Sequence, residues 1–146
     1  MTQTSAIQLP NEGACAFCAY LRGDLSYTIL FRTADTATLV TREQRGNPHL
    51  LVLPLRHIPS ILEMTDTEAG HVAIAVREAA RVINHVYGKP GIAVWQNNGV
   101  PAGQAIGHLH FHVAGTLDGG GTERGSVAEM SLADTDAIAT RLRAAW

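Results

Sequence analysis

The segment from His108 to Val113, in which histidine alternates with apolar residues, constrains the fold more than any other part of the chain. A period of two is typical of a β-strand, because successive side chains of a strand point to opposite faces. We predict a strand from His108 to Gly115 that carries His108, His110 and His112 on one face. Neighbouring imidazoles would lie roughly 6.5–7 Å apart, and burying three of them requires partners. The pattern therefore predicts a ligand-binding site, although a three-histidine metal site and a histidine-rich surface strand stay open.

The chain contains two cysteines, Cys15 and Cys18, in the arrangement Cys-Ala-Phe-Cys. A pair at this spacing is either half of a metal site or a redox pair. A thioredoxin-like pair would follow a first strand, and no strand pattern precedes Cys15, which favours a metal. Two thiolates cannot complete a tetrahedral zinc site, which needs four ligands. The other ligands must come from elsewhere in the chain, which has 7 histidines.

One long amphipathic helix is predicted between Thr65 and Gly88. Residues 65–68, Thr-Asp-Thr-Glu, form a capping box in which two side chains bind the free amides of the first turn. Apolar residues then recur at steps of three and four as far as Val86, which is the period of a helix with one buried face. Gly88 and Pro90 end the helix.

The remaining patterns predict an α+β fold with an antiparallel sheet of about five strands. The predicted strands are residues 27–32, 36–41, 49–53, 91–96 and 108–115. Residues 5–23 are predicted to be mostly irregular, and Ser131 is predicted to cap a short C-terminal helix. We expect the core to lie within residues 15–116, followed over 117–146 by a flexible glycine-rich loop and that helix.

Length and composition restrict the class of protein. At 146 residues the chain has the typical size of one domain, and we expect a single domain over residues 1–146. The net charge is −2 without runs of lysine or arginine, which argues against nucleic acid as a partner. No apolar run is long enough to cross a bilayer, and residues 1–10 lack the features of a secretory signal. We expect a cytoplasmic protein without a membrane partner.

Several short motifs follow one another along residues 15–116. They are the CxxC pair, the strand 50–54 with the following Leu-Arg-His-Ile, the long helix, Asn97-Asn98-Gly99, Gly103-Gln104 and the three alternating histidines. Each motif alone is a weak signal. Together and in this order they resemble the histidine-triad (HIT) family. The resemblance implies the HIT-like α+β fold, which binds nucleotides, and a homodimer whose two sheets join.

The resemblance also implies an enzyme that hydrolyses or transfers nucleotidyl groups. The middle histidine of the triad, His110, would be the nucleophile that forms a nucleotidyl-histidine intermediate, and His112 would contact the phosphate. A catalytic role is implied for Gln104 as well, and nucleotide contacts for Asn97, Gly103, Gln104 and His112. The expected substrate is a purine nucleotide or nucleotide conjugate cleaved at its α-phosphate, such as a nucleoside phosphoramidate or an adenylylated conjugate.

In members of the family that carry zinc, the CxxC pair is joined by two histidines. The matching positions here are Cys15, Cys18, His57 and His108. The resemblance therefore implies one structural zinc ion per chain, with His108 as a metal ligand rather than a catalytic group.

Two positions differ from the family's usual pattern. The family has an acidic residue at the end of the second strand, where it binds ribose hydroxyls, and this chain has Thr41. Many members have a hydroxyl residue after the Gly-Gln pair, and this chain has Ala105. These differences keep open a non-catalytic module that binds a nucleotide or a metal on the same scaffold. A dinucleoside polyphosphate hydrolase, which differs only in its substrate, also stays open.

Four further residues receive structural interpretations. His49 opens a strand at a position where many family members have a structural histidine, so we expect it to order its surroundings. Trp95 is expected to pack in the sheet. Arg45, like the other arginines near the motifs, and His85 on the long helix are expected to be solvated.

Overall fold

The computed structural model describes residues 5–11 and 13–146 and has the α+β fold that the sequence predicts. The helices are α1 (Ala16–Arg22), α2 (Asp66–Tyr87) and α3 (Leu132–Arg143), and two short 3₁₀ turns occupy Ile61–Glu63 and Val100–Ala102. The strands are β1 (Ile29–Arg32), β2 (Thr36–Val40), β3 (His49–Pro54), β4 (Ile92–Gln96) and β5 (Phe111–Gly115). All strand pairs are antiparallel, and the sheet order is β1-β2-β3-β5-β4.

The long helix α2 begins and ends as its sequence signals predict. The Thr65 hydroxyl accepts a hydrogen bond from the Glu68 amide at 3.1 Å, and the Glu68 carboxylate accepts one from the Thr65 amide at 3.0 Å. Gly88 ends the helix with a φ of 59°, a left-handed conformation that glycine adopts without steric cost. The apolar side of α2 contributes Val72, Ala79, Val82 and Ile83 to the core.

The sheet is buried on both faces, which explains the continuous apolar run of β3. Leu50 and Val52 pack towards α2, whereas Leu51 and Leu53 pack towards Phe17 of α1. A strand covered on both faces shows no alternation of apolar and polar residues. The alternating histidines lie in β5 or directly before it, and β5 pairs with this buried strand.

Helix α1 differs from the irregular structure predicted for residues 5–23. The Cys15 thiol accepts a hydrogen bond from the Cys18 amide at 3.3 Å and so caps the start of the helix. Gly23 ends it with a φ of 81°. Because α1 has 7 residues and buries only Phe17 and Ala19 among them, it is too short to produce a readable helical period.

Strand β5 begins at Phe111 and not at His108 as predicted. The Leu109 amide donates to the carbonyl of Ile58 at 2.7 Å, in a loop, instead of to a neighbouring strand. On the partner strand the ladder ends at Val52, which pairs with Phe111. The predicted separation of faces is nevertheless found, because Phe111 and Val113 pack on the side of α2 while the ring of His110 contacts Phe17 on the other side.

The chain beyond β5 packs back onto the sheet. Ala139 and Leu142 of α3 belong to the same core cluster as α2, so the core reaches past the predicted boundary at Thr116. The glycine-rich segment before α3 is joined to the β2–β3 connection by the amide of Glu123, which donates to the Arg45 carbonyl at 2.7 Å. The flexibility expected of this segment stays a prediction. Among the described residues, no helix is both long and apolar enough to cross a membrane.

Candidate functional site

Cys15, Cys18, His57 and His108 converge from three separate parts of the chain. Their ligand atoms all lie within 4.8 Å of one another. The Nδ1 atom of His108 lies 3.6 Å from each sulfur, and Nδ1 of His57 lies 3.4 Å from Sγ of Cys18. With zinc–sulfur and zinc–nitrogen bonds of about 2.3 and 2.0 Å, a tetrahedral ion spaces its sulfur and nitrogen ligands about 3.5 Å apart. The cluster therefore fits one four-coordinate metal ion.

The protonation states of His108 and Cys18 are also consistent with a metal site. Nε2 of His108 donates to the Pro54 carbonyl at 2.8 Å, which leaves the lone pair on Nδ1, the atom that faces both thiols. Burial lowers the pKa of His108 to about 4, so the ring is neutral near pH 7. Burial and the neighbouring Cys15 raise the pKa of Cys18 to about 11, and a bound cation would supply the charge that stabilises the thiolate. The four residues could hold a metal ion.

A cavity of about 440 Å³ opens on the α1 side of the sheet. This volume lies within the usual range for small-molecule sites. Four of the residues predicted to act on a nucleotide line it, namely Asn97, Gly103, His110 and His112. Side chains from α1, from the β2–β3 connection and from the segment before α3 complete the wall.

His110 stands at the wall of this cavity with a defined orientation. Its Nδ1 atom lies 2.8 Å from the carbonyl oxygen of His108. Because a carbonyl only accepts, Nδ1 carries a proton, and in the neutral form of the ring the lone pair lies on Nε2. The ring of Phe17 meets the imidazole edge-on, with centroids 5.0 Å apart, and restricts its rotation further. The arrangement presents a basic nitrogen, which could act as a nucleophile.

His112 forms a pair with His49, whose Nε2 lies 2.9 Å from Nδ1 of His112. Nδ1 of His49 lies 3.1 Å from both the Arg45 amide and the Glu43 carbonyl. When this atom accepts from the Arg45 amide, His49 donates through Nε2, and His112 then carries its proton on Nε2, available to a ligand. His49 thus has the ordering role that the sequence predicts.

Burial keeps both rings of this pair neutral. It lowers the pKa of His112 to about 3 and that of His49 to about 4, and the positive charge of Arg45 adds to the shift in each case. Trp95 lies parallel to His112, with ring centroids 4.7 Å apart and an angle of 3° between the planes. Trp95 therefore also lines the cavity, in addition to the predicted packing in the sheet.

The side chain of Gln104 binds the backbone of the surrounding loops, whereas the sequence predicted that it contacts the nucleotide. Its side chain is 4 % exposed and does not line the cavity. The amide nitrogen donates to the carbonyls of Pro59 and Ile106 at 2.7 and 2.9 Å, and the amide oxygen accepts from Gly99 at 2.7 Å. The side-chain amide is already saturated and has no hydrogen left for a phosphate. Gln104 instead fixes the loop that carries Gly103, whose φ is 96°.

The two positions that differ from the family pattern both line the cavity. The Thr41 hydroxyl accepts from the Glu43 amide at 3.2 Å and lies 3.5 Å from the Tyr27 hydroxyl, so it is already engaged in shaping the turn after β2. Ala105 offers no polar group. Neither side chain brings a charged group to the cavity.

Sequence reasoning missed an aromatic wall in this cavity. Tyr20 and Tyr27 stack with ring centroids 4.1 Å apart, next to Phe17. A possible signal was the aromatic content of the segment around the CxxC pair, but its helix was not recognised. Arg45 lines the cavity as well, although the sequence predicted a solvated side chain.

Comparison with known proteins gives a consistent result. The family model described as HIT domain matches residues 22–118. An uncharacterized HIT-like protein of Methanocaldococcus jannaschii is 26% identical over 129 residues, which cover 88% of this chain and 98% of the relative. A protein of Schizosaccharomyces pombe named adenosine 5'-monophosphoramidase is 29% identical over 100 residues, covering 68% of this chain and 72% of the relative.

Two solved structures have a similar fold. A HIT-like protein from Bartonella henselae has a TM-score of 0.83 at 20% sequence identity, covering 94% of this chain and 100% of the other. A Zn-bound histidine triad family protein from Mycobacterium smegmatis has a TM-score of 0.76 at 21% identity, covering 90% of this chain and 91% of the other. These likenesses confirm the fold predicted from the sequence.

The buried neutral histidines predict a pH dependence of stability. Between the ordinary histidine pKa of 6.5 and the values near 4 and 3 of His49 and His112, the unfolded chain binds more protons than the folded protein. The contribution of these two rings to the free energy of unfolding is therefore fully present above pH 6.5 and falls as the pH is lowered, by up to about 1.4 kcal/mol per pH unit for each ring. Denaturant unfolding at about pH 7 and about pH 5 should show a larger loss in the wild type than in a His49→Gln/His112→Gln variant.

The exposed histidine His85 provides the control. A His85→Gln variant should lose as much stability on acidification as the wild type does. If the double variant is just as sensitive to acid as the wild type, the pair is not held neutral by burial.

Proposed function

Because the chain belongs to the HIT domain family, we propose that it is a nucleotide hydrolase whose nucleophile is His110. The observation that carries the proposal is the hydrogen bond from Nδ1 of His110 to the His108 carbonyl, at 2.8 Å. It leaves a lone pair on Nε2 of a ring that lines a cavity of nucleotide size. An unprotonated imidazole is a competent nucleophile near pH 7.

The reaction then has two steps. Nε2 of His110 attacks the α-phosphorus, a nitrogen–phosphorus bond forms, and the leaving group departs with the electrons of its own bond to phosphorus and takes up a proton. Water next attacks the same phosphorus, the nitrogen–phosphorus bond breaks, and the nucleoside monophosphate leaves while one proton returns to the solvent. Splitting the displacement in this way replaces one difficult step by two easier ones.

Hydrogen-bond donors stabilise the charge on the phosphoryl oxygens in both steps. We assign this role to Nε2–H of His112, in the tautomer that donation from His49 produces. Asn97 and the backbone around Gly103 are assigned further contacts to the nucleotide, because both residues line the cavity beside the triad. Gln104 acts indirectly, by fixing this loop from behind.

The aromatic wall of the cavity provides the surface that would bind the nucleoside. Phe17 and the stacked pair Tyr20 and Tyr27 present flat apolar surface to the cavity, on which a purine base would pack. The relative named adenosine 5'-monophosphoramidase supports a phosphoramidate as substrate. We therefore propose a purine nucleoside phosphoramidate or a related nucleotide conjugate as the substrate.

We propose zinc as the metal of the cysteine–histidine cluster. Two thiolates and two imidazoles match the preferences of zinc, and four protein ligands leave no open position for substrate. When bound, the ion would supply no chemistry to the reaction but would join α1, the end of β3 and the segment before β5. The Zn-bound protein of similar fold supports this choice. His108 would then be fixed at its ring, while its carbonyl orients His110.

We further propose a homodimer and a cytoplasmic location. Strand β4 forms one edge of the sheet, and Val94 in its middle is 50 % exposed. An exposed edge strand with apolar residues pairs readily with another strand, and a second copy of β4 would continue the sheet. Cell fractionation tests the location.

The nucleophile assignment predicts a large loss of activity on substitution. A His110→Ala variant should lose on the order of 10⁴-fold in kcat towards adenosine 5'-monophosphoramidate, because it lacks the nitrogen that forms the bond to phosphorus. Its melting temperature and metal content should change little, since the ring is not a ligand of the cluster. The exposed His85→Ala variant is the matched control and should keep full activity.

Two outcomes count against this assignment. Full activity of the His110→Ala variant would remove it. Tight nucleotide binding by the wild type without turnover of any conjugate would favour the non-catalytic module instead.

Substitution of both cysteines by serine tests the proposed zinc site. The wild type should contain about one zinc ion per chain, and a Cys15→Ser/Cys18→Ser variant should contain none. This variant should unfold at a lower temperature, because α1 loses its link to His57 and His108. Its activity should fall less than that of the His110→Ala variant, since the ion does not touch the phosphate.

His57 is the exposed member of the cluster. Its substitution removes one proposed metal ligand and leaves the CxxC pair intact. A His57→Gln variant should also lose zinc. Zinc retained by the double serine variant would show that the thiols are not ligands.

The exposed edge strand β4 predicts that the protein is a dimer in solution. Light scattering of the wild type should give twice the 15.6 kDa of one chain, and a Val94→Lys variant should shift towards the mass of the monomer because a charge cannot be buried at that edge. A Leu25→Lys variant, also at an exposed apolar residue but away from β4, should remain dimeric. A monomeric wild type would contradict the proposal.

A further inference from the structure

Arg45 stands in the wall of the cavity with three of its five guanidinium N–H groups unused among the described residues. Its Nη1 atom donates to the carbonyls of Gly125 and Glu123, at 2.6 and 3.4 Å. Nε and Nη2 have no acceptor among residues 5–11 and 13–146. These two atoms form the edge of the guanidinium that matches two oxygens of a phosphate or sulfate group.

The backbone of Arg45 is fixed as well. Its amide donates to Nδ1 of His49, and its carbonyl accepts from the amide of Glu123. The residue is therefore tied to the His49–His112 pair on one side and to the glycine-rich segment on the other. A guanidinium whose backbone and Nη1 are both anchored loses little conformational entropy when it binds an anion.

The charge of Arg45 is not neutralised within the described part of the protein. The other guanidinium of the cavity, that of Arg42, lies 3.3 Å from the carboxylate of Glu129. Arg45 has no carboxylate within ion-pair distance among the described residues. Glu43 also lines the cavity, but it is exposed and pairs with neither arginine. The positive charge of Arg45 also acts on the neighbouring histidines, because it contributes to the lowered pKa of both His49 and His112.

We propose that Arg45 determines specificity by binding a second anionic group of the nucleotide, in addition to the phosphate that His110 attacks. The proposal rests on the proposed function, because it takes His110 and His112 as the residues that serve the α-phosphate. The ligand class is a nucleotide with a further phosphate or sulfate. This group is either part of the leaving group or attached to a ribose hydroxyl.

Binding measurements with matched ligands test the proposal without requiring turnover. AMP carries one phosphate, ADP carries a second one on the leaving-group side, and adenosine 3',5'-bisphosphate carries the second one on the ribose. At least one of the two bisphosphorylated ligands should bind the wild type roughly 10- to 100-fold more tightly than AMP, the effect of a charge-assisted bidentate contact. Which of the two does so identifies the position of the second anion.

Variants assign the effect to the guanidinium. In Arg45→Met the preference over AMP should disappear while the affinity for AMP itself changes little, and Arg45→Lys should keep part of it because the charge remains without the planar edge. The control is Arg124→Met, which removes the same charge from an exposed residue outside the cavity and should leave the preference unchanged.

Each of three outcomes would overturn the proposal. Equal binding of AMP and both bisphosphorylated ligands by the wild type would show that the protein does not recognise a second anionic group. The proposed hydrolase function would be unaffected by this result. An equal loss for AMP and the other ligands in Arg45→Met would place Arg45 at the attacked phosphate or in the support of the glycine-rich segment. Failure of all three nucleotides to bind would remove the proposed function together with this inference.

Discussion

The hydrogen bond from His110 to the carbonyl of His108 is the contact on which the rest of the site depends. It decides which nitrogen of the neutral His110 ring carries the proton and therefore which nitrogen holds the lone pair of the proposed nucleophile. The carbonyl is itself held in place, because the ring of His108 is anchored to Pro54 and faces the two thiols of the cluster. The cysteine–histidine cluster and the proposed nucleophile thus share one residue, with the side chain of His108 serving the first and its backbone serving the second. A metal ion bound by the cluster would influence reactivity through this residue without contact with the substrate.

The same arrangement explains why the sheet is covered on both faces. Helix α2 and α3 close one face, whereas the other needs α1 to bring the cysteines and Phe17 against the histidines. Helix α1 has 7 residues, of which only Phe17 and Ala19 are buried. A metal ion bound by four residues would hold this short helix in place more firmly. The cavity is then completed from the far side by the glycine-rich segment, which Arg45 joins to the sheet.

The parts of this structure that were predictable from the sequence are those specified by local patterns. The capping box and apolar period of α2, and the strands around it, could be read directly because each signal lies within a few residues. The resemblance to a family added the cluster of Cys15, Cys18, His57 and His108, which no local pattern links. The short helix α1 and the start of β5 were not predictable, because they depend on contacts between distant segments, such as that of Leu109 with Ile58. For the same reason, the saturated amide of Gln104 and the unpaired edge of Arg45 became visible only in three dimensions.

A covalent intermediate on His110 tests the central claim most directly. The wild type would be mixed with adenosine 5'-monophosphoramidate, quenched in alkali within the first turnovers to preserve a phosphorus–nitrogen bond, and analysed by intact mass and peptide mapping. The account predicts a gain equal to one adenylyl group, located on the peptide that carries His110 and absent from the His110→Ala variant. Turnover without any adenylylated protein, or the adenylyl group on a different histidine, would contradict it.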